Sequence, residues 1–176
     1  MDARNLAELY DLPLLDWGAV TTRLSQEITQ APGTGGPHHH TWWLATIDAD
    51  GAPHVAGIGG FWDREALWFQ TGLTTRKGRN LTRDPRCTVS LATDQFDLVI
   101  EGTATVVEDP DEVAAFVQVA VDGGWPARVD ASGTAVTADF SAPSAGPPPW
   151  HVFRLAPRRA MALALEEPGG ATRWEL

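Results

Sequence analysis

TWWLATIDADGAPHVAGIGGFWDREALWFQT, residues 41–71, reads on a period of two. TWWLATI (41–47) is rich in aromatic and β-branched residues, which suit a pleated, half-buried surface. DADG (48–51) carries the residues of a hairpin-type turn, and PHVAGIGGFW (53–62) follows as a second strand. After another turn at DREA comes a third strand, LWFQT (67–71), so the stretch is a meander of short antiparallel strands.

Working outward, the same signals recur. TTRKGRNLTRDP (74–85) predicts a short helix that Thr74 or Thr75 can cap and Pro85 ends. CTVSLATD (87–94) and FDLVIEGTATVVED (96–109) predict two more strands, the second bending at Gly102. DPDEVAAFVQVAVD (109–122) opens with a capping Asp and an early Pro, and its apolar stripe predicts a helix. WHVFRLAP (150–157), AMALAL (160–165) and ATRWEL (171–176) return to strand. On the N-terminal side, DWGAVTTRLSQEITQ (16–30) spaces Trp17, Val20, Leu24 and Ile28 as one face of a helix, stopped by APGTGGPHHH. The prediction is a mainly β protein of six to seven antiparallel strands in a small barrel, with peripheral α-helices. Residues 1–40 form an N-terminal helix and linker, and 41–176 the barrel domain. The segment 123–149 has little periodicity, and a loop of that length in a compact domain is functional or disordered.

Composition narrows the function. The 176 residues, 43% hydrophobic, suffice for one sizeable core. A net charge of −10 works against nucleic acid and anionic membranes as partners. One cysteine, Cys87, excludes an internal disulfide and fits a reducing, cytoplasmic compartment. No run of about 18 apolar residues occurs, and the acidic N-terminus is unlike a signal peptide. No metal is expected: His38, His39 and His40 alternate in direction, so at most two could share one ion. No nucleophile elbow joins the Ser, His and Asp residues.

Two features point to a ligand. Gly57, Gly59 and Gly60 weaken a strand, which marks either a barrel bend or a ligand lying against the backbone. Five of the 13 basic residues (Arg76, Lys77, Arg79, Arg83 and Arg86) fall close together in an acidic chain. They follow the hydroxyls of Thr71, Thr74 and Thr75 at a helix start, which makes either a phosphate site or a solvated basic face.

On these residues the sequence resembles the pyridoxamine 5′-phosphate oxidase-like flavin and deazaflavin oxidoreductases, the split β-barrel superfamily. The matching stretches are WLATIDADGAPHVAGI, LWFQTGLTTRKGRNLTRDPRCTV, VIEGTATVVED, WHVFRLAP and ATRWEL. The run from Thr71 through Thr75-Arg76-Lys77 and Asn80-Leu81 to Asp84-Pro85 is the most specific of them. The tail GGATRWEL is similar to the deazaflavin-dependent branch.

The resemblance implies a split barrel of the FMN-binding type and a homodimer with two equivalent cofactor sites at the subunit interface. It places the cofactor phosphate on Thr75, Arg76 and Lys77, with Gln70, Thr71 and Asn80 beside them. It lays the ring along Val55, Ala56, Gly57, Ile58, Gly59 and Gly60, and brings Trp174 to the site from the C-terminus. Trp125, Phe140 and Trp150 flank the long loop and are candidates for a substrate wall, with the loop as a lid. The family's vitamin B6 oxidases carry an arginine, a lysine and a tryptophan where this chain has Val55, Gly60 and Ala162, so that activity is not expected. The implied function is hydride transfer between coenzyme F420 and a small organic molecule. The alternatives are an FMN-binding oxidase or reductase of the same fold, and a non-catalytic cofactor carrier or sensor.

Overall fold

A computed structural model of the protein describes residues 1–26, 40–142 and 144–176. Its strands and helices run β1 (Asp2–Asn5), α1 (Trp17–Gln26), β2 (Trp42–Ile47), β3 (Pro53–Ile58), β4 (Gly60–Asp63) and β5 (Ala66–Thr71). They continue with α2 (Arg76–Arg83), β6 (Arg86–Ala92), β7 (Phe96–Val106), α3 (Pro110–Asp122), β8 (Arg128–Val129), β9 (Val136–Thr137), β10 (His151–Ala164) and β11 (Ala171–Glu175).

All strand pairings are antiparallel, in the order β1-β11-β10-β7-β6-β2-β3, with β5 on the first half of β10 and β4 on β5. The sheet curls without closing, since β3 and β4 do not pair with each other. That is a split barrel, as the resemblance implied, of the antiparallel barrel kind that the meander predicted. Two strands expected at 150–157 and 160–165 are one, β10, whose register against β7 shifts between Pro157 and Arg159. Conversely, the strand expected over 53–62 is two. At Gly60 a Cβ would lie 2.9 Å from the Trp68 carbonyl oxygen, so glycine lets β4 turn in beside β5. The helix expected over 16–30 is seen as α1, and its last four positions lie outside the described residues. Residues 2–5, read as part of an N-terminal helix and linker, instead extend the sheet as β1 alongside β11.

Alternation along β5 and β10 divides the apolar residues between two cores. Leu67, Phe69, Phe153 and Leu155 point into the barrel with Trp42, Leu44, Ile100 and Trp174. Trp68, Val152 and Trp150 point the other way, under α3 and the long loop, with Val113, Phe116 and Val136. A strand buried on both faces reads as an unbroken apolar run, which is why LWF shows no polar positions. The long loop is ordered by the β8–β9 hairpin and by backbone bonds between Val136 and Trp150. Among the described residues no helix is long and apolar enough to cross a membrane.

Candidate functional site

The site is built where β5 ends and α2 begins. Thr75 caps α2: its hydroxyl accepts from the Gly78 N–H at 3.1 Å, bonds the Gly72 carbonyl at 2.8 Å and lies 3.1 Å from the Thr71 hydroxyl. Gly78 packs against the chain at Gly72 and Leu73, where a Cβ would overlap the Gly72 carbonyl oxygen. Across from Thr71 on β10 stands His151, whose Nδ1 is buried without a partner. Sequence reasoning passed over His151 because nothing in its local pattern sets it apart from any strand residue.

Much of the basic cluster holds α2 in place. Arg76 donates through Nε and Nη2 to the Asp48 carboxylate, and Asn80 Nδ2 donates to Asp48 Oδ1 at 2.8 Å and to Thr46 Oγ1 at 3.0 Å. Arg83 reaches the Ile47 carbonyl and Arg79 the Thr74 carbonyl. The Arg76 guanidinium and the Asn80 amide hold the Asp48 carboxyl down to about 2. In this structure both Arg76 and Asn80, expected beside the cofactor phosphate, bond to the turn after β2. Asp48 was read only as a turn residue, since a sequence does not show which helix will cross that turn.

Lys77 is different. It is 4% exposed, and its Nζ donates to the Ser144 carbonyl with no carboxylate within ion-pair distance among the described residues. Burial pushes the ammonium below its ordinary value. Beside it the Gly72 N–H donates to the Ala145 carbonyl at 3.1 Å, and Gly146 packs near Thr75. Residues 144–146 of the long loop thus lie against the helix start that the sequence reading left open.

On the other side of Ser144 is a cavity of about 340 Å³, lined by Gly60, Phe61, Gln70, Phe116, Trp125 and Ser144 among others. Gln70 lines it through the rest of its side chain, while its Oε1 is buried out of reach and without a partner. Asp122, at the end of α3, is the one charged lining residue among those described. Several expected residues are elsewhere. Of the implied ring strand only Gly59 and Gly60 line the cavity. Val55 is 57% exposed, Ala56 and Gly57 are half-buried on β3, and Ile58 enters the barrel core.

Trp174 is 1% exposed in the barrel core, its ring 5.1 Å from that of Trp17, and it does not line the cavity. Trp150 is likewise core, its Nε1 donating to the Gly146 carbonyl at 2.9 Å. Phe140 packs its ring 5.7 Å from Trp125 and does not line the cavity, so Trp125 alone of the three forms its wall. Burial pushes the Cys87 thiol up to about 12, which leaves it inert. Among the described residues no three His, Cys, Asp or Glu side chains gather as a metal site would need; His38 and His39 lie outside them.

The donor set at the start of α2 fits a phosphate group. Among the described residues the buried ammonium has only a neutral carbonyl for partner and no counter-charge, and a helix N-terminus with a threonine hydroxyl adjoins it. Lys77, Thr75 and Thr71 are the residues that would hold the group, and the Ser144 carbonyl occupies the ammonium in its place.

The chain is thus a split β-barrel with the buried Lys77 and the cap of α2 close to an apolar cavity. The family model described as pyridoxamine 5′-phosphate oxidase matches residues 35–163, and the chain belongs to that family. Solved structures agree on the fold. A pyridoxamine 5′-phosphate oxidase-related, FMN-binding protein from Nostoc punctiforme is 18% identical, with 93% of each chain covered and a TM-score of 0.57. An F420 reductase is 21% identical over 77% of this chain and 94% of its own, with a TM-score of 0.50. A heme-binding protein from Mycobacterium smegmatis is 18% identical over 90% of this chain and 59% of its own, with a TM-score of 0.59. No curated protein matches the chain.

Proposed function

We propose that the protein is a cytoplasmic oxidoreductase that binds coenzyme F420 and exchanges a hydride with a small organic molecule. The observation that carries this reading is Lys77, a buried ammonium with no carboxylate partner among the described residues, held by the Ser144 carbonyl of a residue that also lines an apolar cavity. When bound, the deazaflavin supplies a ring carbon that gives or takes the hydride. The chain's own residues do the rest. Lys77 and Thr75 bind the phosphate, and Gly59 and Gly60 line the cavity in which the ring lies. Phe61, Phe116 and Trp125 exclude water from the reacting face. The tail ATRWEL supports F420 over FMN, and both present a phosphate and a tricyclic ring.

The active form in this proposal is a homodimer. The outer sheet face runs in register from Gly57 through Trp43, Ser90 and Val99 to Met161. Trp43 is 52% and Met161 40% exposed there, with Leu163 beside them, an apolar stripe of the kind that marks a protein contact. Val55 of β3 stands on the same face, so a partner docked here would flank the strand the ring is expected to follow. Two measurements test the reading. Absorption titration with F420 and with FMN identifies the cofactor, and a spectral change with neither overturns the proposal. Sedimentation at micromolar concentration should give a dimer, and Trp43→Glu should give a monomer with reduced cofactor affinity.

A further inference from the structure

Two consecutive backbone carbonyls occupy donors that a bound phosphate would use. The Ser144 carbonyl accepts from the Lys77 ammonium, and the Ala145 carbonyl accepts from the Gly72 N–H at 3.1 Å, just before the Thr75 cap. A Cβ at Gly146 would lie 3.6 Å from Thr75 Cγ2, so the segment passes the cap in van der Waals contact. The turn also holds itself together. The Ala145 and Gly146 N–H groups both donate to the Ala142 carbonyl, at 3.1 and 2.9 Å, and those bonds travel with it if it moves. Its far end is anchored: the Gly146 carbonyl accepts from Trp150 Nε1 at 2.9 Å, and backbone bonds tie Trp150 to Val136 in the core. Gly146 sits at φ 75°, a conformation that residues with a side chain disfavour roughly five- to thirtyfold.

We propose that residues 144–146 form a strap that stands in for the anion, and that a phosphate group binds at the start of α2 only by displacing it. In the exchange the Lys77 ammonium trades a neutral carbonyl for a charged oxygen, the stronger partner. Ser144 is exposed, so its released carbonyl turns to water. The strap lowers the apparent affinity for phosphate in proportion to the fraction of molecules in which it is closed. Ser144 and Ala145 also line the cavity, so a phosphate that moves them reshapes the space in which the ring lies. The inference deepens the reading of this corner as the cofactor's phosphate site and rests on it.

The test uses the full chain and inorganic phosphate, titrated against chloride at constant ionic strength. In the unaltered protein, NMR should show the Trp150 indole N–H shifting along the same curve as the Gly72 amide, because departure of the strap takes the Gly146 carbonyl with it. Ala145 is 5% exposed, so in Ala145→Cys the thiol is covered while the strap is closed. A neutral alkylating reagent should label it severalfold faster at saturating phosphate, while the buried Cys87 of the parent stays unlabelled. Gly146→Ala strains the closed strap and should tighten phosphate binding, by up to about thirtyfold. Lys77→Met should lose the response. Phosphate binding that leaves the Trp150 resonance and the labelling of Ala145→Cys unchanged overturns the inference. Weaker binding in Gly146→Ala, a response that survives Lys77→Met, or no phosphate binding overturns it equally. Titration with the cofactors separates the two readings. If phosphate displaces the strap and neither F420 nor FMN binds, the redox reading falls and the strap stands. If either cofactor binds with the strap in place, the strap falls and the redox reading stands.

Discussion

Replacing Lys77 by methionine separates a ligand-binding lysine from a structural one, because the two roles predict opposite signs. Methionine keeps most of the apolar stem and removes the charge. The loss is one hydrogen bond to the Ser144 carbonyl, about 1 kcal/mol. Ser144 is itself exposed, so its carbonyl recovers water. The gain is relief of a buried ammonium with no carboxylate partner among the described residues, and apolar replacement even of buried ion pairs runs from neutral to about 4 kcal/mol stabilising. The variant without cofactor should therefore be more stable than the parent, by roughly 1 kcal/mol. Burial lowers the Lys77 value from 10.5, so the folded parent binds fewer protons than the unfolded chain between the lowered value and 10.5. Its stability rises with pH through that window, and the advantage of the variant should shrink there and be full below it. Phosphate binding should move the other way. Losing a charge-assisted hydrogen bond costs about 1.5–3 kcal/mol, or roughly ten- to a hundred-and-fifty-fold in cofactor affinity. Urea denaturation across pH and cofactor titration are the assays. Arg86→Ala is the control, since that side chain is exposed and paired with Asp84 at 2.6 Å, and it should change neither readout. A destabilised Lys77→Met with unchanged cofactor affinity would refute the reasoning.

Three further outcomes follow from the same geometry. The Asp48 carboxyl, held to about 2 instead of 3.8, contributes stability that is present above 3.8 and lost as pH falls through about 2. Asp48→Asn should flatten the acid limb of a stability–pH curve, which denaturation at stepped pH would show. Gly78→Ala forces a methyl onto the Gly72 carbonyl oxygen, and urea unfolding should register a loss of about 2–3 kcal/mol. Trp174→Ala empties the barrel core beside Trp17, at about 3–5 kcal/mol of thermal or chemical stability. A Trp174→Ala protein of normal stability with impaired cofactor binding would favour the implied reading of that residue at the cofactor site.

The strand meander and the cap of α2 were legible because they are local. Period-two alternation, Asp48–Gly51 as a turn, Thr75 ahead of the helix and Pro85 after it each fix backbone conformation within a few residues. What escaped was long-range. Asp48 lies 28 residues from Arg76 and 32 from Asn80 in the chain, and no spacing rule links them. Ser144 is 67 residues from Lys77, inside the segment with least periodicity. The core packing of Trp174 was not legible because a resemblance transfers a position without its surroundings. Here that position faces Trp17 of α1, the helix the resemblance leaves uncovered.

The pairing of an anion corner with an apolar chamber is a consequence of the strand period. Successive residues of β5 face opposite sides, so Thr71 turns toward the cap of α2 while Gln70 turns into the cavity. Two adjacent residues therefore serve two chemistries with one strand end to position them. Ser144 closes the arrangement from outside: its carbonyl holds the Lys77 ammonium, and the same residue walls the chamber that Gln70 faces. A sequence in which Gln70 and Thr71 were separated by one more residue would turn both side chains to the same side. The corner and the chamber would then compete for one face of the strand instead of dividing it.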